Sequence, residues 1–523
     1  MMKKVIKKLL AALLAVAMVC AMAIPAFADD TKENIQDHNS FSGFQIFKGD
    51  VEGNKISNAD WGESITDRNK FLTDLKADAT LGKLFNEATD VQDVLAVIGT
   101  WHDSDDNSIA FARFVCKYLY PNANANPKPF AEGNHSLTFS QAGYYLIVDT
   151  TYFNPGDDYH AYNSFMLKVT QANWVFDVTP KVEKPSVKKE VYDNPDGTSN
   201  GAGFGSSADH AINEKFKFKL TATLPASDAH VYDYYDKYTV IFDDTLSAGI
   251  TFDDLDTVVI TQNGNNSDIT AKHYKLVKHD ESSFSLGIDD VKTCASGLNL
   301  NDGATITVTY TAHLNDKAFV NTTSGSSTEN KNSVQLQYSN NPRDTESFWG
   351  HTPKSEVCVY TYQLNNTKRA KSADGAPLKD VGFCLYSDEA CAHKVELYKE
   401  GDFYFPIKDA TDKKAVEEMY SDKDGKFNIK GLDAGTYYLK ETTPPAGYSA
   451  CDVTPVIIKA NHTEERVDLD GSTLSTTIIN NKAGGITLPS TGGIGTTLFY
   501  VIGGGLMVAA AVLLITKKRM ENK

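Results

Sequence analysis

The sequence predicts a mainly β protein built as three tandem β-sandwich domains. Its body is rich in Thr, Tyr, Val and Gly turns, it lacks long helical periodicity outside the N-terminal part, and one Gly-turn-strand unit occurs twice. The first copy is Ala142-Gly143-Tyr144-Tyr145-Leu146-Ile147-Val148-Asp149-Thr150; the second is Ala434-Gly435-Thr436-Tyr437-Tyr438-Leu439-Lys440-Glu441-Thr442. Two copies of one unit predict that the first and last domains share a sandwich plan.

Both ends of the chain are apolar. Lys3, Lys4, Lys7 and Lys8 precede an apolar run from Leu9 to Ile24, and Ala26-Phe27-Ala28 supplies small residues around a cleavage point. This predicts a signal peptide over residues 1–28. Leu498 to Thr516 is long enough to span a bilayer, and Lys517, Lys518 and Arg519 follow as a cytoplasmic stop. The exported chain expected between the cleavages, Asp29 to Thr491, has 463 residues (491 − 28), enough for three domains of ordinary size.

The whole chain carries a formal net charge of −17; removing +4 for the signal peptide and +3 for residues 492–523 leaves −24. So acidic a body excludes nucleic acid as an expected partner. Six cysteines survive export: Cys116, Cys294, Cys358, Cys384, Cys391 and Cys451. They are too few and too scattered for a disulfide framework or a CxxC metal site. One bridge within Cys384, Cys391 and Cys451 is the expectation for an extracellular domain, with the pair left open. No Ser/His/Asp, metal-ligand or phosphate-loop pattern stands out, so no cofactor, metal or enzymatic turnover is expected.

The first domain, 29–180, opens with a strand at Ser42–Phe47 and continues with helical stretches at Arg68–Leu75, Val91–Ile98 and Ser108–Leu119, the last stopping before Tyr120-Pro121. A Pro-bearing linker, Val182-Glu183-Lys184-Pro185, leads into the middle domain, 181–356. Its strands alternate visibly at Lys215–Thr223, Tyr238–Phe242, Thr305–Thr311 and Ser333–Tyr338, separated by Gly, Asn and Asp turns. The third domain covers 357–487. Its Asp422-x-Asp424-Gly425 stretch has the opening of a calcium loop but no bidentate Glu at the right spacing, so it is read as a hairpin turn.

The tail from 488 to 523 carries Leu488-Pro489-Ser490-Thr491-Gly492 ahead of the apolar span and the basic end. The three features in this order resemble the LPxTG sorting signal of sortase substrates. The resemblance implies that a sortase cysteine attacks the Thr491 carbonyl, releases Gly492 onward and passes the acyl group to an amine. The span would hold the peptide beside a membrane-bound enzyme and raise its effective concentration. Trp174-Val175-Phe176-Asp177-Val178-Thr179-Pro180-Lys181 resembles the pilin motif of sortase-assembled pili, in which the Lys after Pro is the acceptor. It is two residues shorter than the usual motif, and Thr179 stands where Tyr is usual. Phe44-Gln45-Ile46-Phe47-Lys48-Gly49-Asp50 with Trp61-Gly62 resembles the N-domain of pilus shaft subunits, although no Lys/acid/Asn set is found there and Lys48 is read as a strand-end surface residue.

Tyr438-Leu439-Lys440-Glu441-Thr442-Thr443-Pro444-Pro445-Ala446-Gly447-Tyr448 resembles the E-box of pilins. Glu441 shares a strand face with Leu439, so an inward Leu439 buries the Glu441 carboxyl, and an unpaired buried carboxylate is costly. The resemblance implies the answer: an intramolecular isopeptide bond, formed when a neutral buried Lys attacks an Asn side-chain amide, an acid polarises that amide and shuttles protons, and ammonia leaves. Burial favours the uncharged forms this requires. In the third domain the implied partners of Glu441 are Lys368 and Asn480, with Asn481 as a rival. The middle domain resembles the CnaA-like second domain of shaft pilins. Pro185-Ser186-Val187-Lys188-Lys189-Glu190-Val191, Phe242-Asp243-Asp244-Thr245-Leu246 and Asn330-Lys331-Asn332-Ser333-Val334 match its opening, acid-bearing and closing segments. There the implied set is Lys189, Asp244 and Asn332, with Asp243 and Asn330 as alternatives.

The resemblance thus implies three Ig-like domains: a CnaB-like N-domain with helical insertions, a CnaA-like middle domain and a CnaB-like C-domain. It implies a major pilin, the shaft subunit, joined to other copies by a pilus-specific sortase through Thr491 and Lys181 and fixed to peptidoglycan by a housekeeping sortase. Ancillary pilins and a host receptor are further expected partners. A singly displayed wall adhesin and a minor basal pilin are the alternatives.

Overall fold

The computed structural model describes residues 40–481, apart from 53–54, 102–105, 122–124, 135, 151–163, 170, 178–183, 196–201, 228–230, 281 and 341–348. The expected signal peptide, Lys181, the LPSTG sequence and the apolar span after it lie outside the described residues. Among the described residues no helix is long and apolar enough to cross a membrane. Strands dominate throughout.

In the first domain a sheet forms in the order Lys55–Trp61, Ser40–Glu52, Gly143–Asp149, Ser164–Val169, with Ala131–Asn134 also pairing the Ser40–Glu52 strand. A separate ribbon joins Ser136–Phe139 to Trp174–Asp177. Helices Arg68–Ala77, Gly82–Phe85, Val91–Ile98 and Asp106–Leu119 fill the segment between. Asp67 caps the first by accepting from the Lys70 N–H at 2.9 Å, and Asp90 caps the third by accepting from the N–H groups of Gln92 and Asp93. Their apolar stripes meet one sheet face in a core containing Phe44, Phe47, Trp61, Phe71 and Phe111. Each such aromatic contributes about 1.5–3 kcal/mol when fully buried.

The middle domain is a sandwich of two sheets. One runs in the order Asn265–Asp268, Ile250–Gln262, Ala304–Leu314, Lys215–Leu224, Ser186–Asp193, Gly203–Gly205. The other runs Ser207–Asp209, Ser355–Tyr360, Lys331–Ser339, Val240–Leu246, Ser283–Ile288, Tyr274–Lys278. Strict alternation of burial along Ala304–Leu314 and Lys215–Leu224 puts Ile306, Val308, Phe218 and Leu220 between the sheets. The strand Ser355–Tyr360 completes this second sheet, so the junction with the third domain falls at Thr361 and not after Glu356 as the sequence suggests. Only Thr361 separates it from the next strand, Tyr362–Ala370.

The third domain packs a five-stranded sheet, Leu397–Glu400, Phe403–Pro406, Asn428–Leu432, Tyr362–Ala370, Ser475–Asn480, against a second one, Met419–Tyr420, Gly382–Tyr386, Gly435–Thr443, Thr454–Ile458. Its first strand, Tyr362–Ala370, and its last, Ser475–Asn480, are parallel neighbours. The repeated unit opens alike in both outer domains: Gly143 and Gly435 have φ of 155° and 145°, where a side chain is strained. A Cβ on Gly143 would also lie 2.4 Å from the Phe47 carbonyl oxygen.

The middle and third domains meet in a buried polar seam. His462 places Nδ1 2.9 Å from the Ser207 hydroxyl and Nε2 3.3 Å from the Asp193 carboxylate. The Tyr362 hydroxyl donates to Asp209 at 2.7 Å, and the Ile212 N–H donates to the Gly431 carbonyl at 2.9 Å. Burial first, then the neighbouring Asp209 and Glu214 carboxyls, pushes the pKa of Asp433 well up, with Lys408 opposing. Between the first and middle domains, Arg113 and Lys117 on the last helix both pair with Asp236.

Candidate functional site

Two buried constellations, one in the middle domain and one in the third, have the composition expected for self-crosslinking. In the middle domain Val187 and Val191 set the inward face of the strand Ser186–Asp193, and Lys189 between them is carried inward with its side chain wholly buried. Asp244 and Asn332 come from neighbouring strands of the opposite sheet. Asp244 pairs with Val334 and Leu246 with Asn332, so the two side chains are diagonal neighbours on the inner face.

The Lys189 ammonium donates to Asp244 and, at 3.0 Å, to the Tyr310 hydroxyl. That hydroxyl donates to Asp244 at 3.1 Å and accepts from the Asn332 amide nitrogen at 2.7 Å. Tyr310 therefore ties all three together, and its oxygen is fully used. The Asn332 amide oxygen is buried without a hydrogen bond. The rings of Phe218 and Tyr310 lie 5.2 and 5.3 Å from the Lys189 nitrogen and wall it off from water. Burial pushes the Lys189 pKa down to about 8 while Asp244 opposes the shift. Burial likewise raises the pKa of Asp244, against the pull of Lys189 and Tyr310. Both shifts favour the uncharged pair.

The alternatives in this domain point elsewhere. Asp243 accepts from Ser285 at 2.6 Å and from Gln337 on the other face of its strand. The Asn330 amide is clamped to backbone: its oxygen accepts from the Phe319 N–H at 2.7 Å, and its nitrogen donates to the Phe319 and Val359 carbonyls.

In the third domain the geometry differs. Lys368 and Asn480 sit on the parallel first and last strands, where Lys368 is opposite Ile478 and Ala370 is opposite Asn480. Glu441 reaches them from the facing sheet, on the same inward face as Leu439. The Lys368 ammonium donates to the Asn480 amide oxygen and stands 3.7 Å from Glu441 Oε2. The Asn480 amide nitrogen donates to Glu441 Oε1 at 2.7 Å. One carboxyl thus spans the amine and the amide nitrogen. The Cys451 N–H also donates to Oε2 at 2.8 Å. The side chains of Lys368 and Glu441 have no exposed surface, and the Phe383 ring lies 5.6 Å from the ammonium. Burial lowers the pKa of Lys368, with Cys451 and Glu441 opposing. The rival Asn481 is exposed beyond the end of the strand.

Other sequence expectations meet the structure as follows. All six described cysteines are free; the thiols of Cys384 and Cys391 donate to the carbonyls of Glu417 and Glu389, so the expected bridge among Cys384, Cys391 and Cys451 is not formed here. The Asp422 carboxylate accepts from the N–H groups of Asp424 and Lys426, and Gly425 takes a φ of 78°, which makes the segment a turn. Lys48, expected as a strand-end surface residue, is half-buried within the Ser40–Glu52 strand, paired on one side with Asp60 and on the other with Gly143. The sequence shows no Ser/His/Asp or metal-type grouping, yet the fold brings Ser207, His462 and Asp193 together and places ligand atoms of Asp193, Asp209 and His462 within 4.8 Å of one another. These side chains are shut inside the seam, where they join two domains. Their sequence separation hides them.

Sequence comparisons match two segments of the chain. Residues 365–473 match the SpaA family, a prealbumin-like fold domain, and residues 480–522 match the LPXTG cell wall anchor motif. Serine-aspartate repeat-containing protein C of Staphylococcus aureus (strain MW2) is 28% identical over 190 residues, which are 35% of this chain and 19% of that protein. Among solved structures, a three-domain backbone pilin of Streptococcus pyogenes aligns over 86% of this chain and 97% of its own at 16% identity and a TM-score of 0.47. The full-length major pilin SpaD of Corynebacterium diphtheriae aligns over 85% and 93% at 18% identity and a TM-score of 0.43. The third domain carries the SpaA prealbumin-like fold and the tail carries the LPXTG motif, so this chain is a cell-wall-attached surface protein of the LPXTG-anchored class.

Proposed function

We propose that the chain is a structural shaft pilin, polymerised through a Thr491-to-Lys181 link and reinforced by two internal Lys–Asn isopeptide bonds, Lys368–Asn480 and Lys189–Asn332. The observation that carries this reading is the Lys368, Glu441 and Asn480 arrangement, with one carboxyl placed against both the attacking and the leaving nitrogen.

The chemistry follows from those positions. The Lys368 ammonium passes a proton to Glu441 Oε2, leaving a neutral amine beside a protonated acid. The amine attacks the Asn480 Cγ and forms the new C–N bond. The carboxyl returns a proton to the departing amide nitrogen, takes one from the Lys368 nitrogen, and ammonia leaves. The Asn C–N bond breaks, no oxidant is needed, and the acid ends protonated. Exclusion of water removes the competing hydrolysis and strengthens each polar contact. In the middle domain Asp244 has the acid's role, and Tyr310 holds the three groups in register. The two bonds differ in placement: Lys368–Asn480 would join neighbouring strands of one sheet, and Lys189–Asn332 would staple one sheet to the other.

Head-to-tail joining of copies is a heterologous contact that does not close, and so builds a fibre. Two measurements test this. The intact mass of the recombinant body is expected to fall short of the sequence value by two ammonia; the full sequence mass would remove the internal bonds. Wall extracts of the native host are expected to give a high-mass ladder in denaturing gels that disappears in Lys181→Ala. A ladder that survives the substitution would remove Lys181 as acceptor.

A further inference from the structure

The two buried sites hand their protons over differently. In the third domain the Glu441 carboxyl spans both nitrogens, with Oε2 3.7 Å from Lys368 and Oε1 2.7 Å from the Asn480 amide nitrogen. In the middle domain the group that spans both nitrogens is the Tyr310 hydroxyl. Its oxygen accepts from Lys189 at 3.0 Å and from the Asn332 amide nitrogen at 2.7 Å. Asp244 accepts from Lys189 on Oδ2 and from the Tyr310 hydroxyl on Oδ1. Tyr310 reaches this point from the strand Ala304–Leu314, inward-facing like Val308 and Ala312 and wholly buried.

We propose that Tyr310 is a catalytic residue of the middle site, its hydroxyl carrying a proton from the attacking nitrogen to the leaving one. This rests on the bond-forming reading of that site and deepens it: Asp244 takes the first proton from the Lys189 ammonium, and Tyr310 performs the second transfer. Once the neutral amine has bonded to Asn332 Cγ, its nitrogen holds one proton too many and the amide nitrogen one too few. The phenol turns its O–H from Asp244 to the amide nitrogen, gives that proton up, and takes one from the Lys189 nitrogen. The Asn332 C–N bond breaks, ammonia leaves, and Tyr310 and Asp244 both end protonated. Protons and charge balance without water or an oxidant. A phenol is a very weak base and a usable acid, so donation leads acceptance, and the transfer quickens as the phenol becomes more acidic. A hydroxyl that only held Asp244 in place would act oppositely, because a more acidic phenol donates more strongly to the carboxylate and makes it a poorer base for the Lys189 proton.

The experiment uses the exported chain collected unfolded, and so unreacted, from inclusion bodies. It is refolded by dilution at one pH, quenched with denaturant at intervals and digested. The cross-linked peptides of Lys189 with Asn332 and of Lys368 with Asn480 are measured separately, so that the third-domain bond is the reference within each sample. Tyr310→Phe is expected to slow the middle-domain bond roughly a hundredfold or more and to leave the third-domain bond at its parental rate. A parental rate for the middle-domain bond in this variant overturns the proposal. Incorporation of 3-fluorotyrosine at position 310 keeps the hydroxyl and makes it more acidic, and is expected to quicken the middle-domain bond roughly two- to fivefold. A fluorotyrosine rate at or below that of the parent overturns the proposal, and it does so even where Tyr310→Phe fails to fold. Parent protein that forms the third-domain peptide but none joining Lys189 to Asn332 instead removes the bond-forming reading of the middle domain.

Discussion

Lys368 and Asn480 are 112 residues apart in sequence and in direct contact in the fold, the ammonium donating to the amide oxygen across two parallel strands. The first prediction tests this contact. Asn480→Ala is expected to abolish one of the two ammonia losses in the intact mass and to leave the other. Glu441→Ala is expected to do the same while leaving Asn480 in place. Loss of both, or of neither, would contradict the assignment of this bond to the third domain alone.

Tyr310 is expected to be as important to the middle site as the residues that react. Tyr310→Phe keeps the ring against Lys189 but removes the hydroxyl that donates to Asp244 and accepts from Asn332. Leaving those buried groups short of a partner is expected to cost about 1–3 kcal/mol in denaturant unfolding. Intact mass should show slowed or incomplete loss of the corresponding ammonia after refolding.

Asp244→Ala leaves the wholly buried Lys189 ammonium facing Tyr310 and aromatic rings alone. Removing one partner of a buried pair costs about 3–5 kcal/mol, so the middle domain of this variant is expected to unfold well before the parent. Neither this variant nor Lys189→Met with Asp244→Leu can form the Lys189–Asn332 bond, so the two are compared with each other: the apolar pair is expected to be the more stable by most of that amount, because no stranded charge remains. Stability of the double variant equal to that of Asp244→Ala would show that charge burial is not the cause.

The seam between the middle and third domains is expected to be pH-sensitive in two directions. Asp433 has its folded pKa raised by burial, so its contribution is fully present below the ordinary carboxylate value and is lost as pH rises through the folded pKa. His210 has its pKa lowered by burial, so it contributes fully above the ordinary imidazole value and costs stability as pH falls below it. Protection of the Ser207–Asp209 amides, measured against the intrinsic exchange rate at each pH, should therefore fall as pH rises through the folded pKa of Asp433 and fall as pH drops below the ordinary imidazole value. Asp433→Asn should remove the fall with rising pH and leave the fall with falling pH unchanged; an unaltered loss on raising the pH would assign it to another group.

Much of this is legible in local pattern. Alternation along Ser186–Asp193 and Gly435–Thr443 turns Lys189 and Glu441 inward, and a buried charge demands a partner. The helix caps Asp67 and Asp90 stand directly before their apolar stripes. Tyr310 escapes a reading of the sequence because its strand supplies an unremarkable Thr-rich alternation, and only the opposite sheet shows what its hydroxyl meets. The signal available is that a Tyr at a fully buried position needs a partner for its oxygen. Cys451 reads as a disulfide candidate because spacing cannot show that its backbone N–H is given to the Glu441 carboxyl. The junction at Thr361 is displaced in the sequence reading because Ser355–Tyr360 pairs in parallel with Ser207–Asp209, a long-range choice that leaves no mark in the strand itself.

The parallel adjacency of Tyr362–Ala370 and Ser475–Asn480 decides how the third domain meets tension. A pull along the chain enters at Tyr362, at one end of the pair, and leaves beyond Asn480, at the opposite end. The backbone bonds between the two strands are then loaded in shear, all together, where an antiparallel pair gripped at a common end would open bond by bond like a zip. A cross-link between Lys368 and Asn480 would lie along this load path and carry the force past everything between them. The intervening loops would then bear no tension and would be free to lengthen or change without weakening the thread.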